Sequence, residues 1–242
     1  MARGSFTSVH FTAWVTAWVV LAGGCDRTIS PIAVVSGCPD RPMRSPDQWA
    51  ADAPASELID DFESGDGRLA RVEGRDGEWR LSKDQTGAPS SAGPSSICVA
   101  RDLYAGHLVT SASTDWGAIW TAYFRGLVAG VPQPYDGSRY GGLSFWAGFD
   151  AANGAPLSIR VGFVTMDTAP NGGVCSTYCM DFHGIDVTPS ATWQRFEMRF
   201  DDLRQQGWGN VQAPLRRDQM VGFAVWPNQK SDLWIDDVRF EP

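Results

Sequence analysis

Lysine is almost missing from this chain. Lys83 and Lys230 are the only two in 242 residues, and the formal net charge is −8. Nucleic-acid binders carry a clustered basic footprint, so that partner class is excluded. An acidic balance suits an exported protein that should not stick to anionic lipid, but it names no partner. Catalytic signatures are missing too: the sequence holds no HExxH pattern, no nucleophile-elbow glycine motif and no phosphate-binding loop. No apolar run reaches the roughly 20 residues of a membrane-spanning helix. Helical periodicity is scarce. The one candidate is Asp201 to Gln206, a turn or two ended by Gly207-Trp208-Gly209.

What is present begins with a leader. Arg3 is the only Asp, Glu, Lys or Arg before Asp26, and Phe11 to Ala22 is continuously apolar or small. That length fits the core of a signal peptide. It runs into Leu21-Ala-Gly-Gly-Cys25, which resembles the lipobox of bacterial lipoproteins. The resemblance implies removal of residues 1–24 and acylation of Cys25. Gly23 and Gly24 supply the small residues that a narrow peptidase site needs, while Ala22 departs from the family's larger aliphatic residue. An ordinary secretory signal with a nearby cysteine is the alternative. Each buried methylene of an acyl chain contributes about 0.8 kcal/mol, and stable anchoring takes more than one chain.

Residues 25–56 read as a tether. Pro31, Pro39, Pro42, Pro46 and Pro54 interrupt small residues with little periodicity, and such composition cannot bury enough apolar surface to order itself. Ile32 to Val35 could add an edge strand. Residues 57–242 are the expected folded domain.

Four cysteines remain beyond Cys25: Cys38, Cys98, Cys175 and Cys179. In an exported protein an even remainder points to disulfides. Cys175 and Cys179 lie in a Gly-rich loop and could bridge. A zinc site from Cys175, Cys179 and His183 is the alternative, and it needs reduced thiols and a fourth ligand. A Cys38–Cys98 bridge follows only by elimination.

The domain reads as strands. Ile159, Val161 and Phe163 alternate on one face of Leu157 to Val164. Phe196, Met198 and Phe200 alternate against Arg195, Glu197 and Arg199. Gly141 to Phe149, Met220 to Trp226 and Leu233 to Phe240 are further strands. Period two with one buried face marks antiparallel strands. Short strands between Gly and Pro turns predict an all-β antiparallel sandwich or jelly roll.

Two blocks break the strand rules: Leu58-Ile-Asp-Asp-Phe-Glu63 and Leu233-Trp-Ile-Asp-Asp-Val-Arg-Phe240. Asp is depleted in strands. The same exception at both ends predicts that the ends lie side by side and hold a hard cation. Asp61, Glu63 and Asp237 are the candidate ligands, with Asp60 or Asp236 in reserve. Alternation lets only one member of each doublet face inward.

From Leu58 to Phe240 the chain resembles a carbohydrate-binding module with the galactose-binding-like jelly roll, nearest the family-eleven kind. The residues that carry the resemblance are Asp60-Asp-Phe-Glu63, Tyr135-Asp-Gly137, Gly142-Leu-Ser-Phe-Trp146, Trp193-Gln-Arg-Phe196, Phe200-Asp-Asp-Leu203, Gly207-Trp-Gly209 and the closing block. The resemblance implies a non-catalytic domain that binds glycan on a concave sheet face or its loops, with a structural calcium near the paired ends. The loop from Val174 to His183 departs from simple modules and either covers or extends the binding face.

Sugar rings stack their C–H faces on aromatic side chains, and planar polar groups take their hydroxyls. If their strands are neighbours in one sheet, Trp146, Arg160 and Trp226 form such a platform. Trp116, Tyr123 and Tyr140 are further candidates, whereas Trp193, Trp208 and Trp234 are expected in the core. Asp167, Asp181 and His183 give polar chemistry at the sandwich edge. A glycosidase or lyase needs two carboxylates at set separation; the enzyme reading would use Asp181 and Glu197 as acid and base, and nothing in the sequence places such a pair. The resulting expectation is a non-catalytic, lipid-anchored glycan binder of the bacterial cell envelope. A protein-interaction sandwich in an envelope assembly is the runner-up, and a jelly-roll enzyme the third reading.

Overall fold

The structure, a computed structural model, describes residues 55–86, 89–98, 103–111, 115–149, 158–172, 174–227 and 229–242. The leader, Cys25, the tether with its candidate edge strand and any Cys38 pairing lie outside the described residues.

Two antiparallel sheets face each other. The first orders β3 (Ser90–Cys98), β4 (Leu103–Thr110), β11 (Ser231–Glu241), β6 (Gly142–Phe149) and β9 (Gln194–Arg199), with β1 (Leu58–Asp60) also on β11. The second orders β2 (Trp79–Lys83), β5 (Ala118–Tyr123), β10 (Met220–Trp226), β7 (Ile159–Thr165) and β8 (His183–Val187). This is the expected all-β sandwich. Its core lies between the sheets. Ile159, Val161 and Phe163 are fully buried there, and Met198 and Phe200 nearly so, with Phe196 partly buried against them. The predicted helix at Asp201 to Gln206 is a correction: only a 3-10 turn forms, Phe200–Asp202. Buried Leu203 pins the chain to the core, and Arg204 then bridges to Gly184, so no second helical turn can follow.

The ends do lie side by side. Leu58 pairs with Arg239 and Asp60 with Val238, with an irregularity in the register of β1. β11 has its own irregularity between Asp236 and Arg239, where Asp237 takes φ +48°. Phe62, just after β1, takes φ +59°. Positive φ is unusual for such residues, and the aspartates support it locally. The Phe62 N–H donates to Asp60 Oδ1 at 2.9 Å, and the Asp237 N–H donates to Asp236 Oδ1 at 2.8 Å. Asp appears in these strands because its short carboxylate satisfies backbone N–H groups at a bulge.

Candidate functional site

The junction of the ends was the expected cation site. Asp60 and Asp236 are the buried members of their doublets, while Asp61 and Asp237 sit nearer the rim. Asp60 Oδ2 accepts the Trp79 indole N–H at 2.8 Å. Burial raises its pKa to about 7, opposed by the Phe62 and Trp79 hydrogen bonds. Asp61 accepts the Glu63 N–H at 3.3 Å, and Glu63 accepts the Tyr104 N–H at 3.4 Å. Asp237 lies 3.9 Å from Arg239. Calcium takes six to eight oxygens. Among the described residues no three acidic, histidine or cysteine side chains converge on a common point. Asp61, Glu63 and Asp237 therefore do not assemble a carboxylate set for calcium.

The aromatic candidates separate by sheet. Trp146 lies on β6 and packs with Trp193, Trp234 and Ala105 on the outside of the first sheet. Arg160 and Trp226 lie on β7 and β10 of the second sheet, directly opposite one another. The three-residue platform is thus corrected: Trp146 belongs to the other face of the molecule. Arg160 is buried and already committed. Its guanidinium donates to the Arg204 carbonyl at 2.5 Å and the Phe182 carbonyl at 3.4 Å, and meets Asp186 at 3.5 Å. It stitches β7 to β8 and to the segment that follows β9. Tyr140 is a core residue, stacked on Phe240 with centroids 4.2 Å apart.

Trp226, Trp116 and Tyr123 do come together. Alternation on β5 sends Trp120 and Ala122 into the core and Ile119 and Tyr123 to the outer face of the second sheet. Trp226 stands beside them, and its indole N–H donates to the Trp116 carbonyl at 2.7 Å, which fixes the ring. Burial pushes the Tyr123 hydroxyl up, against the opposing pull of Arg80, so it is neutral at pH 7. The cavity they line has a volume of about 820 Å³, with Tyr178, Trp208, Gln206 and Lys83 among its other walls. That is within the roughly 300–1,000 Å³ of ligand sites. Its lining is mostly apolar, with a few polar groups at the edge.

Two loops raise the walls. The cysteine loop after β7 is closed by a Cys175–Cys179 disulfide, which removes the zinc alternative. Ala169, Met180 and Phe182 from this loop cover part of the sheet face, while Tyr178 stands 71 % exposed over the cavity. The loop therefore both covers and extends the face. The second loop, residues 204–213, presents Trp208, which is 42 % exposed and meets Trp226 edge-on at 6.4 Å. Trp208 was expected in the core, and this placement corrects that. Trp193 and Trp234 are buried as expected.

Asp181 lies between the loops, buried. It accepts the N–H groups of Gln206 at 2.8 Å, Gly207 at 2.9 Å and Gly209 at 3.0 Å, and the Gln212 amide at 3.1 Å. Burial alone raises the carboxyl, but these donors outweigh it and hold it below the usual carboxylate range. His183 Nε2 bonds the Ala213 carbonyl at 2.7 Å, and burial holds the ring neutral. Asp167, also buried, is 3.9 Å from Arg216. Glu197 lies on β9 in the first sheet and Asp181 just before β8 of the second, so they form no acid–base pair.

No protein-family model matches the chain, and no curated protein matches it in sequence. Among solved structures it is similar to the family 11 carbohydrate-binding module of a cellulosomal cellulase of Clostridium thermocellum. The identity is 18 %, over 76 % of this chain and 93 % of that one, with a TM-score of 0.48. The family 11 module from the same organism in complex with a β-1,3-1,4-mixed-linked tetrasaccharide gives 17 % identity over 76 % and 94 %, with a TM-score of 0.49. A family 30 carbohydrate-binding module gives 15 % identity over 66 % and 76 %, with a TM-score of 0.41.

Proposed function

We propose that this protein binds a polysaccharide chain, without chemistry, in the aromatic groove on the outer face of its second sheet. The observation that carries the reading is the grouping of Trp116, Tyr123, Trp208 and Trp226 around one cavity. Rigid aromatic faces suit the C–H faces of sugar rings and cost little conformational entropy to present. Ser82, Gln206 and Lys83 at its edge offer partners for hydroxyls. Glycosidases use two carboxylates flanking the scissile bond, and among the described residues Asp115 is the sole carboxylate lining this groove. That favours a binder over a catalyst.

The protein would work tethered to the cell envelope through an acylated Cys25, with residues 26–56 as the spacer. Electrophoresis through gels holding single neutral polysaccharides, with and without calcium, tests the binding. A glycan reader is retarded by at least one of them, and Trp116→Ala abolishes the retardation. Migration unchanged by every polysaccharide, followed by capture of a defined envelope protein, favours the interaction-module reading. Release of reducing or unsaturated ends favours the enzyme. Mass spectrometry of the membrane fraction tests acylation of Cys25.

A further inference from the structure

Two of the groove's aromatic walls are not held by the sheet that supplies its floor. Trp208 sits between Gly207, at φ +91°, and Gly209. Neither glycine gives the indole a packing partner of its own. Its N–H reaches only Gln206 Oε1, at 3.0 Å. The segment gets its shape from Asp181: three backbone N–H groups flanking Trp208, those of Gln206, Gly207 and Gly209, converge on one carboxylate. Gly209 is close to Asp181 by necessity, since an added Cβ would lie 2.6 Å from Asp181 Cβ and 3.2 Å from the Tyr178 carbonyl oxygen. Asp181 follows Cys179 by two residues, so the disulfide that shapes the Tyr178 turn also fixes where the carboxylate starts. A direct link between the loops reinforces this, with Asn210 Nδ2 donating to Thr177 Oγ1 at 2.6 Å.

We infer that Asp181 is a positioning residue for the groove: its carboxylate holds Trp208 against Trp226 and locks that wall to the cysteine loop that carries Tyr178. This rests on the glycan-binding reading for its functional consequence, but not for its geometry. Asp181 is not itself among the residues that line the groove. Hydrogen bonds to a charged acceptor are the strong class, and three N–H groups from one short loop cannot all be satisfied by an amide that presents its own NH2.

The test compares the wild type with Asp181→Asn, Trp208→Ala, the double variant and Gly209→Ala, which pushes the loop off Asp181 and keeps the charge. Amide hydrogen exchange is read first. In Asp181→Asn and Gly209→Ala, the Gln206, Gly207 and Gly209 amides should exchange faster by about tenfold or more, while the β10 amides keep wild-type rates. Unchanged exchange at those three amides in both variants overturns the inference. Affinity for whichever polysaccharide retards the wild type is read second. Asp181→Asn and Trp208→Ala should each lose about fivefold or more, and the double variant no more than Trp208→Ala alone. Losses that multiply in the double variant, or an Asp181→Asn protein that binds like the wild type, overturn it too. If no polysaccharide retards the wild type, the glycan reading fails, and the exchange result alone decides whether Asp181 holds the loop.

Discussion

The indole of Trp79 donates its N–H to the buried carboxylate of Asp60, 2.8 Å away. This bond ties the first strand, in one sheet, to an edge strand of the other. It lies under Phe62, whose ring packs 5.4 Å from Trp79 and 5.8 Å from Trp120. The acidic block at the front of the domain therefore fastens the sandwich.

That fastening predicts a pH-dependent stability. Burial raises Asp60 from 3.8 to about 7 in the folded state. A raised acid keeps its proton when folded and loses it when unfolded, so its stabilisation is complete below about pH 4 and is lost as the pH rises through about 7. His183 works in the opposite direction, because burial lowers it and its contribution grows as the pH rises through its unfolded value. The difference between wild type and Asp60→Asn isolates Asp60. Thermal melts from pH 4 to 8 should show the wild type losing stability relative to the variant, by up to roughly 4 kcal/mol. A constant difference across that range contradicts the assignment.

Calcium is the next prediction. Both Asp60 oxygens and one of Asp236 already accept N–H donors, and no three ligating side chains converge among the described residues. Added calcium should move the melting temperature by less than about a degree, and a chelator likewise, because a tightly bound ion stabilises by mass action and these carboxylates do not converge on one point. A rise of several degrees that a chelator reverses would show an ion held at this seam by other oxygens.

The disulfide should matter more to the groove than to the fold. Closing so short a loop contributes about 2 kcal/mol at most in the chain-entropy picture. Cys175→Ser with Cys179→Ser should leave the sandwich folded, with a melting temperature lowered by a few degrees. Polysaccharide affinity should fall more than that destabilisation implies, since Tyr178 and Met180 hold positive φ beside Cys179. Full affinity in the double serine variant would show that Tyr178 is dispensable.

Trp146 supplies a control. It packs against Trp193 and Trp234 on the first sheet, away from the groove. Trp146→Ala should cost stability through lost packing and leave polysaccharide affinity unchanged. Lost affinity at wild-type stability would move the binding face to the other sheet.

Much of this was legible from residue pattern, and the failures have physical causes. β7, β9, β10 and β11 declare themselves because one face of each meets the core. β3, Ser90-Ser-Ala-Gly-Pro-Ser-Ser-Ile-Cys98, is an edge strand with Gly and Pro in it, and its pairing comes from β4 more than from its own preference. β8 holds Gly184 where an added Cβ would lie 2.4 Å from the Val161 carbonyl oxygen. That close approach leaves no hydrophobic signature. For the site, alternation assigned Trp146 and Trp226 to outward faces correctly. It could not say that the faces belong to different sheets, which is a matter of strand order. Arg160 was read as free to meet a hydroxyl because its carbonyl partners, from Phe182 and Arg204, are remote in sequence. Trp208 between two glycines looked like a turn residue destined for the core. What exposes it is a carboxylate from another loop, and no local pattern reveals that.

Trp226 is the residue on which the account turns, since it joins the floor of the groove to Trp116 by a hydrogen bond and to Trp208 by an edge contact. Titration calorimetry of Trp226→Ala against the polysaccharide that retards the wild type is the direct measurement. A well-packed tryptophan at the centre of a binding site contributes about 2 kcal/mol or more, so affinity should fall by roughly thirtyfold or beyond while the melt stays cooperative. Wild-type affinity in a folded Trp226→Ala protein would contradict the proposal that this groove is where the glycan binds.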